Sequence, residues 1–306
     1  FFYLLKIEEN FMKKLLNFCK YLRLSANNLI IRLLPAKKMQ PAKYYLSLCS
    51  IFKNEEKYMK EWLDFHLIVG FEHFYLYNNF SSDNYQKVLK PYIEKGFVTL
   101  IDWPYQHGQM GAYNDCVSKF KDESNWIAFM DLDEFAVPLS CDNVKDWLKN
   151  YEKFPCVLGF FKDFSSSGRM KDDESKPVIE QFVVCSDFIS PSMFLNTAWA
   201  DRIKEFRLSH FCRFKFFNKV CPENAGFLCR WHEQPRKLNF QFNHYHSKSF
   251  DYYVSKKIPN GDVFSAQNSY SLKHFYKNEQ KCGKVDYNAY RYLIKLKNFN
   301  LDDYQA

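Results

Sequence analysis

The stretch FMDLDEF at residues 129–135 places three carboxylates within four positions at the end of an apolar run that begins at residue 126. Such a run is typical of a buried β-strand, whose side chains alternate between two faces. Asp131 and Asp133 are therefore expected to point the same way, where their charges repel each other. A divalent metal ion between them would remove that repulsion, so the D-x-D pattern is a candidate metal site. A solvated acidic turn is the alternative that this pattern alone leaves open.

The regular order of strands and helices before this stretch predicts a parallel sheet. Apolar strand-like runs occur at 44–52, 73–79, 97–103 and 126–135, and helical patterns with capping residues and terminal glycines lie between them. This alternation predicts an α/β fold in which helices cover both faces of a mainly parallel sheet. Ligands bind outside the carboxyl ends of such strands, where the D-x-D lies. The Gly-rich phosphate loops of other nucleotide-binding folds do not occur here, so a metal is the natural counter-charge.

The second half of the chain is less regular. A helix is predicted at 142–151, strands at 156–164 and 178–185, and short strands in the aromatic-rich region 187–245. From residue 250 the pattern becomes helical again. This order predicts a mixed C-terminal region.

The bulk composition limits the class of protein. The chain has 306 residues, of which 47% are hydrophobic and 19% aromatic, and this excludes disorder. The net charge of +8 suits an anionic partner such as a nucleotide or a lipid surface. No recognition-helix or RNA-binding motif occurs, so no nucleic acid is expected as a partner. The ten cysteines are scattered, several in apolar runs, and no signal peptide or membrane-spanning run occurs, which favours reduced thiols in the cytosol.

The chain divides into three predicted parts. Residues 1–42 form a basic amphipathic segment, which can lie on an anionic membrane surface or pack on the main domain as an ordinary helix. The main domain is predicted at 43–262, with a nucleotide-binding half (43–135) and a half that binds the acceptor and completes the metal site (136–262). A helical extension follows at 263–306.

Several motifs, in this order, resemble glycosyltransferase family 92, the galactosyltransferase-related group. The matching segments are CSIFKNEE (49–56), HFYLYNN (73–79), QMGAYNDC (109–116), DLDEF (131–135), FSSSG (164–168) and HYHSKS (244–249). Their order and spacing together are specific, although each alone is not. The resemblance implies a GT-A (Rossmann-like) fold, a nucleotide-sugar donor, a divalent metal and inversion at the anomeric carbon.

The resemblance also assigns roles to particular residues. It implies metal contacts, with Mn²⁺ or Mg²⁺, from Asp131, Asp133 and His244, with His246 as a rival to His244. Asp131 would bind the donor ribose or a metal-bound water. Residues implied to contact the donor are Asn54, Glu55, Asn78, Gln109, Asp115, Asp131 and Lys248. The catalytic base is not assigned. Its candidates, each of which fits an exposed or structural acid better, are Asp163, Asp172, Asp173, Glu174 and Glu233.

The expected activity is transfer of a hexose, with galactose as the family-based choice, from a UDP-sugar to a glycan or lipid-linked acceptor in surface polysaccharide synthesis. The expected setting is the cytoplasm, with peripheral contact at the inner face of an anionic membrane. Two alternatives stay open. A haloacid-dehalogenase-like phosphatase also ends a strand in D-x-D, but it requires a Gly-Thr-like pair where this chain has Glu134 and Phe135. A non-catalytic sugar-binding or scaffold protein of the same fold is the other.

Overall fold

Four parallel strands and three helices build the first half of the protein in a computed structural model. The model describes residues 39–208, 211–214, 239–261 and 270–304, together with single helical positions between residues 12 and 33. The elements of the first half are β1 (Tyr44–Phe52), α1 (Glu56–Ile68), β2 (His73–Asn78), α2 (Tyr85–Glu94), β3 (Val98–Asp102), α3 (Gln109–Phe120) and β4 (Ser124–Phe129). Their strands run parallel in the order β3-β2-β1-β4. The predicted alternation is confirmed.

The central strand β1 shows why both faces of the sheet are covered. Leu46 and Leu48 point into a core shared with α1 and α2, whereas Cys49 and Ile51 point into a core shared with α3. This is the alternation of a strand that is apolar on both faces. Each core is therefore built from one face of the same sheet.

The second half extends the same sheet with strands of both directions. Its elements are β5 (Glu134–Pro138), α4 (Val144–Leu148), β6 (Cys156–Phe164), α5 (Val178–Gln181), β7 (Val184–Asn196), β8 (Ile203–Leu208), β9 (Phe211–Phe214) and β10 (Phe240–His244). The sheet continues from β4 as β7-β6-β10-β5, with β7 antiparallel to both of its neighbours. Strand β10 is parallel to β6 and antiparallel to β5. β8 and β9 form a separate antiparallel pair.

The C-terminal part is helical and packs on the sheet. It contains α6 (Phe250–Tyr252), a π-helical turn (Tyr253–Lys257), α7 (Ile258–Asn260), α8 (Leu272–Lys281), β11 (Lys284–Val285) and α9 (Leu293–Lys297). Strand β11 pairs with β7, and Tyr292 and Leu296 lie in the main core. The described part of the predicted extension therefore shares the core of the main domain. The predicted boundary after residue 262 falls outside the described residues.

Two local predictions are wrong. The strand predicted at 126–135 ends at Phe129, and a turn follows in which the Glu134 N–H donates to the Asp131 carbonyl at 3.1 Å. This turn lets the chain leave β4, in the middle of the sheet, and enter β5 at the edge beyond β10. The strand predicted at 178–185 begins with α5, because the carboxylate of Glu61 accepts the free N–H of Val178 at 2.9 Å.

No helix in the described ranges is long and apolar enough to cross a membrane. The described side chains between residues 12 and 33 are exposed. The seven cysteines that the structure describes are free thiols.

Candidate functional site

A pocket opens at the carboxyl ends of β1 and β4, beneath the helical segment that follows β10. Its polar lining residues are Lys53, Glu55, Gln109, Asp131, Asp133 and Lys257. Tyr252, Asn260, Gly261 and Tyr270 close it from the C-terminal side. The pocket therefore lies where a parallel sheet is expected to bind its ligand.

Asp133 is the electrostatic centre of this pocket. The residue is 5% exposed, and its two carboxylate oxygens face different partners. The Lys257 ammonium lies 2.5 Å from Oδ2, and Nε2 of His244 lies 3.5 Å from Oδ1. Burial alone would raise the pKa of Asp133, but Lys257 and His244 outweigh it and hold that pKa well below its usual value. Asp133 is thus an ionised carboxylate in a buried position.

The sheet brings His244 to Asp133 and gives it a second carboxylate partner. His244 ends β10, where its register partner on β6 is Asp163. The His244 Nδ1–H donates to Asp163 Oδ1 at 2.8 Å, so Nε2 points toward Asp133. Burial lowers the pKa of His244, but Asp133 and Asp163 together raise it well above its usual value. Asp163 therefore fixes the orientation of the ring.

Glu134 completes a group of three potential metal ligands. It pairs with His244 across β5 and β10, and one ligand atom from each of Asp133, Glu134 and His244 lies within 4.8 Å of the others. Burial and the neighbouring charge of Asp131 raise the pKa of Glu134 well above its usual value. The group differs from the predicted one because the turn after β4 replaces Asp131 by Glu134.

Asp131 is held on the other side of the turn. Gln109, which is 2% exposed at the start of α3, donates from Nε2 to Asp131 Oδ1 at 2.8 Å. The backbone N–H of Asp131 donates to Glu134 Oε2 at 3.1 Å. Asp131 still lines the pocket, so it is available to a donor but is not part of the three-residue group.

The donor set of this group fits a divalent cation. Two carboxylates and one imidazole suit Mn²⁺ or Mg²⁺ better than a soft metal, and an imidazole that binds metal usually donates its other N–H to a carboxylate, as His244 does to Asp163. Lys257 contacts Oδ2 of Asp133, whereas Oδ1 faces Nε2 of His244. The residues that would hold the ion are Asp133, Glu134 and His244.

The comparison with protein families identifies the chain. The sequence profile of glycosyltransferase family 92 matches residues 42–305. The chain belongs to glycosyltransferase family 92. The match, together with the observed strand order, confirms the predicted family and the predicted GT-A fold class.

Individual relatives match shorter stretches. A family 92 protein of Oryza sativa subsp. japonica is 27% identical over 176 residues, which is 52% of this chain and 30% of that protein. The β-1,4-galactosyltransferase galt-1 of Caenorhabditis elegans is 28% identical over 134 residues, covering 39% of this chain and 30% of its own length. The galactan β-1,4-galactosyltransferase GALS3 of Arabidopsis thaliana is 31% identical over 132 residues, covering 39% and 26%. The chain thus matches less than a third of the length of these curated relatives.

Among solved structures, the fold is similar to S. aureus TarS 1–349 in complex with UDP-GlcNAc. The sequence identity is 16%, the TM-score is 0.40, and the match covers 83% of this chain and 72% of that chain.

Several residues that the family resemblance places next to the nucleotide-sugar donor form hydrogen bonds within the protein instead. Asn54 has a φ of 56°, accepts the Ser82 N–H at 2.8 Å and donates to Asn260 at 3.2 Å, so it ties the β1 tip to the next loop. Asn78 donates to Tyr85 and Asp102. Asn78 does not line the pocket, and Asn54 lines an adjoining pocket that shares Glu55, Tyr252 and Asn260 with it.

Asp115 also lies away from the pocket lining. It accepts the Tyr77 hydroxyl at 2.9 Å and pairs with Lys119 at 3.0 Å on the surface of α3. Glu55, by contrast, lines the pocket, and burial raises its pKa despite the nearby charges of Lys248 and Lys257. Of the residues implied at the two strand tips, the structure brings Glu55 to the site.

Lys248 is buried rather than exposed. It is 1% exposed, and its ammonium lies 4.0 Å from the Tyr58 ring centre and 4.7 Å from that of Tyr252. Burial lowers its pKa. Lys248 does not line the pocket, although Tyr252 does. Its position favours a cation–π contact over direct contact with a phosphate.

His246 lies behind His244. Its ring centre is 5.2 Å from that of His244 and 5.3 Å from that of Tyr270. Burial, with the charges of Lys257 and His244, lowers the pKa of His246 well below its usual value. His244, not His246, belongs to the group of potential ligands.

The candidate bases are placed as follows. Asp163 bonds His244, and Asp172 bonds Lys57 and the Tyr58 hydroxyl. Asp173 accepts the N–H and hydroxyl of Ser175 in an exposed turn. Glu174 is 86% exposed, and Glu233 lies outside the described residues. None of the four described candidates lines the pocket.

Sequence reasoning missed Lys257. This lysine lies eight residues after the HYHSKS motif, in a segment where the chain pattern shows only a polar helix. It reaches the site because the π-helical turn Tyr253–Lys257 passes over the tip of β4. The signal in the sequence was the lysine at 256, which follows the HYHSKS motif in the family resemblance and directly precedes Lys257.

Proposed function

We propose that the protein is an inverting, metal-dependent glycosyltransferase that moves a hexose from a UDP-sugar to a glycan or lipid-linked acceptor. The observation that carries this proposal is the meeting of Asp133, Glu134 and His244 in a pocket at the strand ends of a family 92 domain. Galactose is the proposed sugar, because two relatives are named as β-1,4-galactosyltransferases. Synthesis of a surface polysaccharide is the proposed setting.

The chemistry of the proposed transfer explains the charges of the site. When the bond to the sugar breaks, negative charge grows on the diphosphate. A bound divalent cation would neutralise part of that charge. Asp133, Glu134 and His244 would hold the ion, Asp163 keeps the His244 ring in place, and Gln109 keeps Asp131 at the pocket wall. Glu55 and Lys53 supply further polar contacts for the donor.

The two other activities considered from the sequence have less support. A phosphatase of the haloacid-dehalogenase type requires a Gly-Thr-like pair after its D-x-D, where this chain has Glu134 and Phe135, and the chain matches family 92. A non-catalytic scaffold has no need for a buried, ionised carboxylate beside an oriented imidazole. The transferase is therefore the function that we propose.

A donor panel tests this proposal. The purified protein is incubated with UDP-galactose, UDP-glucose, UDP-GlcNAc and GDP-mannose, in Mn²⁺ or in EDTA, and release of the nucleoside diphosphate is measured. We expect release from a UDP-sugar, fastest with UDP-galactose, that EDTA abolishes. Asp133→Asn should remove this activity, whereas Asp122→Asn, at an exposed carboxylate, should retain it. Release of phosphate from a phosphomonoester without any nucleotide release would contradict the proposal.

A further inference from the structure

Lys257 lies where a divalent cation and a nucleotide diphosphate would meet. Its side chain is 15% exposed and lines the pocket. The ammonium contacts Oδ2 of Asp133 at 2.5 Å, while Oδ1 of the same carboxylate faces His244 at 3.5 Å. The carboxylate of Asp133 therefore contacts Lys257 and also belongs to the group that would hold the ion.

The other lysines near the pocket are placed differently. Lys248 is enclosed by the rings of Tyr58 and Tyr252 and does not line the pocket. Lys53 lines the pocket, but its ammonium faces the carbonyl oxygen of Asn260, at 3.5 Å. Of these three lysines, Lys257 is the one with its ammonium on the carboxylate at the centre of the site.

We propose that Lys257 binds the diphosphate of the nucleotide donor and that, before the donor arrives, it competes with the divalent cation for Asp133. This inference rests on the proposed function. An ion on Oδ1 and an ammonium on Oδ2 of one carboxylate repel each other at a few ångströms in a buried site. A diphosphate removes the conflict, because it gives the ammonium a second anion within reach. Donor binding thus moves Lys257 from Asp133 to the phosphate.

Two calorimetric titrations test the inference. UDP is titrated in EDTA, and Mn²⁺ is titrated without nucleotide, into the wild-type protein, Lys257→Met and Lys257→Gln. Loss of a charged hydrogen bond to phosphate weakens binding about tenfold or more, so we expect that loss of UDP affinity in both variants. The affinity for Mn²⁺ should rise in both, because the competing ammonium is gone. Lys171→Met, at an 82% exposed lysine, is the matched control and should resemble the wild type.

Lys257→Gln is included because its amide can still donate to Asp133, so this variant is expected to fold even if Lys257→Met does not. Thermal melting followed by circular dichroism confirms that each variant is folded. The inference would be overturned if the Lys257 variants bound UDP in EDTA as tightly as the wild type, or if their affinity for Mn²⁺ were equal to or lower than that of the wild type. If the wild type still binds UDP with Mn²⁺, the proposed function is unaffected by either result. Failure of the wild type to bind UDP even with Mn²⁺ would overturn the proposed function as well.

Discussion

The imidazole of His244 lies between two carboxylates, and each nitrogen faces one of them. Nδ1 is 2.8 Å from Asp163 and Nε2 is 3.5 Å from Asp133. Partners of this kind fix the tautomer of a metal-binding histidine, and their removal typically weakens metal affinity 10- to 100-fold, as a rough range. The geometry therefore favours a positioning role for Asp163 over the role of catalytic base.

Asp163→Ala separates these two roles. We expect the affinity for Mn²⁺, measured by calorimetry, to fall about 10- to 100-fold, because the ring loses its orienting partner. Asp173→Ala, in an exposed turn, is the control. A loss of turnover with an unchanged Mn²⁺ affinity would instead identify Asp163 as the base.

His66 is a buried histidine outside the site, and it predicts how stability depends on pH. Its Nδ1 faces the Trp62 carbonyl at 2.7 Å, and its Nε2 accepts the Ala136 N–H at 3.2 Å, so the neutral ring joins α1 to β5. Burial lowers the pKa of His66 from 6.5 to about 3. Because the folded state resists protonation, the stabilisation is complete above pH 6.5 and is lost as the pH falls toward 3.

His66→Gln tests this expectation, since a glutamine can donate and accept at the same places. Between pH 6.5 and 5, protonation of the unfolded histidine costs the wild type about 2 kcal/mol of unfolding free energy. Urea unfolding at several pH values should show this loss in the wild type and a smaller loss in the variant. Equal pH dependence in both proteins would show that His66 does not contribute it.

At the scale of elements, the close approach of β6 and β10 sets the position of both His244 and Asp163. Gly159 on β6 permits it, because a Cβ there would lie 2.6 Å from ring atoms of Phe240 and Phe242. Both rings belong to the main core and are fully buried. Any side chain at position 159 must displace them.

Gly159→Ala should therefore destabilise the protein by about 1–3 kcal/mol, the usual range for overpacking a core. Chemical unfolding measures this change. Gly283 is the matched control, because a Cβ there meets no atom within 4 Å and its φ is not positive. Gly96 also has open space, but its φ of 78° would strain any other residue. Gly283→Ala should leave the unfolding free energy nearly unchanged. A similar loss in both variants would contradict the packing argument.

The elements of the first half could be predicted because each strand and helix has its own apolar period. The turn after β4 could not be predicted, because the strand-like sequence pattern continues to residue 135 although the chain changes direction after Phe129. Because of this turn, the group of potential ligands contains Glu134 where the sequence predicted Asp131. The family motif includes His244, which the structure brings into this group, whereas the contacts of Asp163 and Lys257 depend on pairings between distant segments that no local pattern encodes.

At the scale of the whole molecule, the described apolar side chains between residues 12 and 33 are exposed. Met12, Leu15, Leu22 and Leu33 are exposed at helical positions. Exposed apolar residues in a segment rich in lysine and arginine suit the surface of an anionic membrane. Peripheral membrane contact, and the cytoplasmic setting predicted from the sequence, remain proposals.

Sedimentation with vesicles tests the membrane contact. We expect the full chain to bind vesicles that contain anionic lipid, more weakly at high salt, and not to bind neutral vesicles. A chain lacking residues 1–38 keeps Met39, which packs on the core, and should lose this binding. Equal sedimentation of both chains would place the membrane contact elsewhere or exclude it.

The central prediction is that Asp133, Glu134 and His244 hold a divalent cation that binds a nucleotide diphosphate. The most direct measurement is calorimetric titration of UDP into the wild-type protein and Asp133→Asn, each with Mn²⁺ and with EDTA. We predict that Mn²⁺ strengthens UDP binding to the wild type at least about tenfold, or roughly 1.4 kcal/mol, and has no such effect on the variant. Equal UDP affinity of the wild type in Mn²⁺ and in EDTA would contradict the claim.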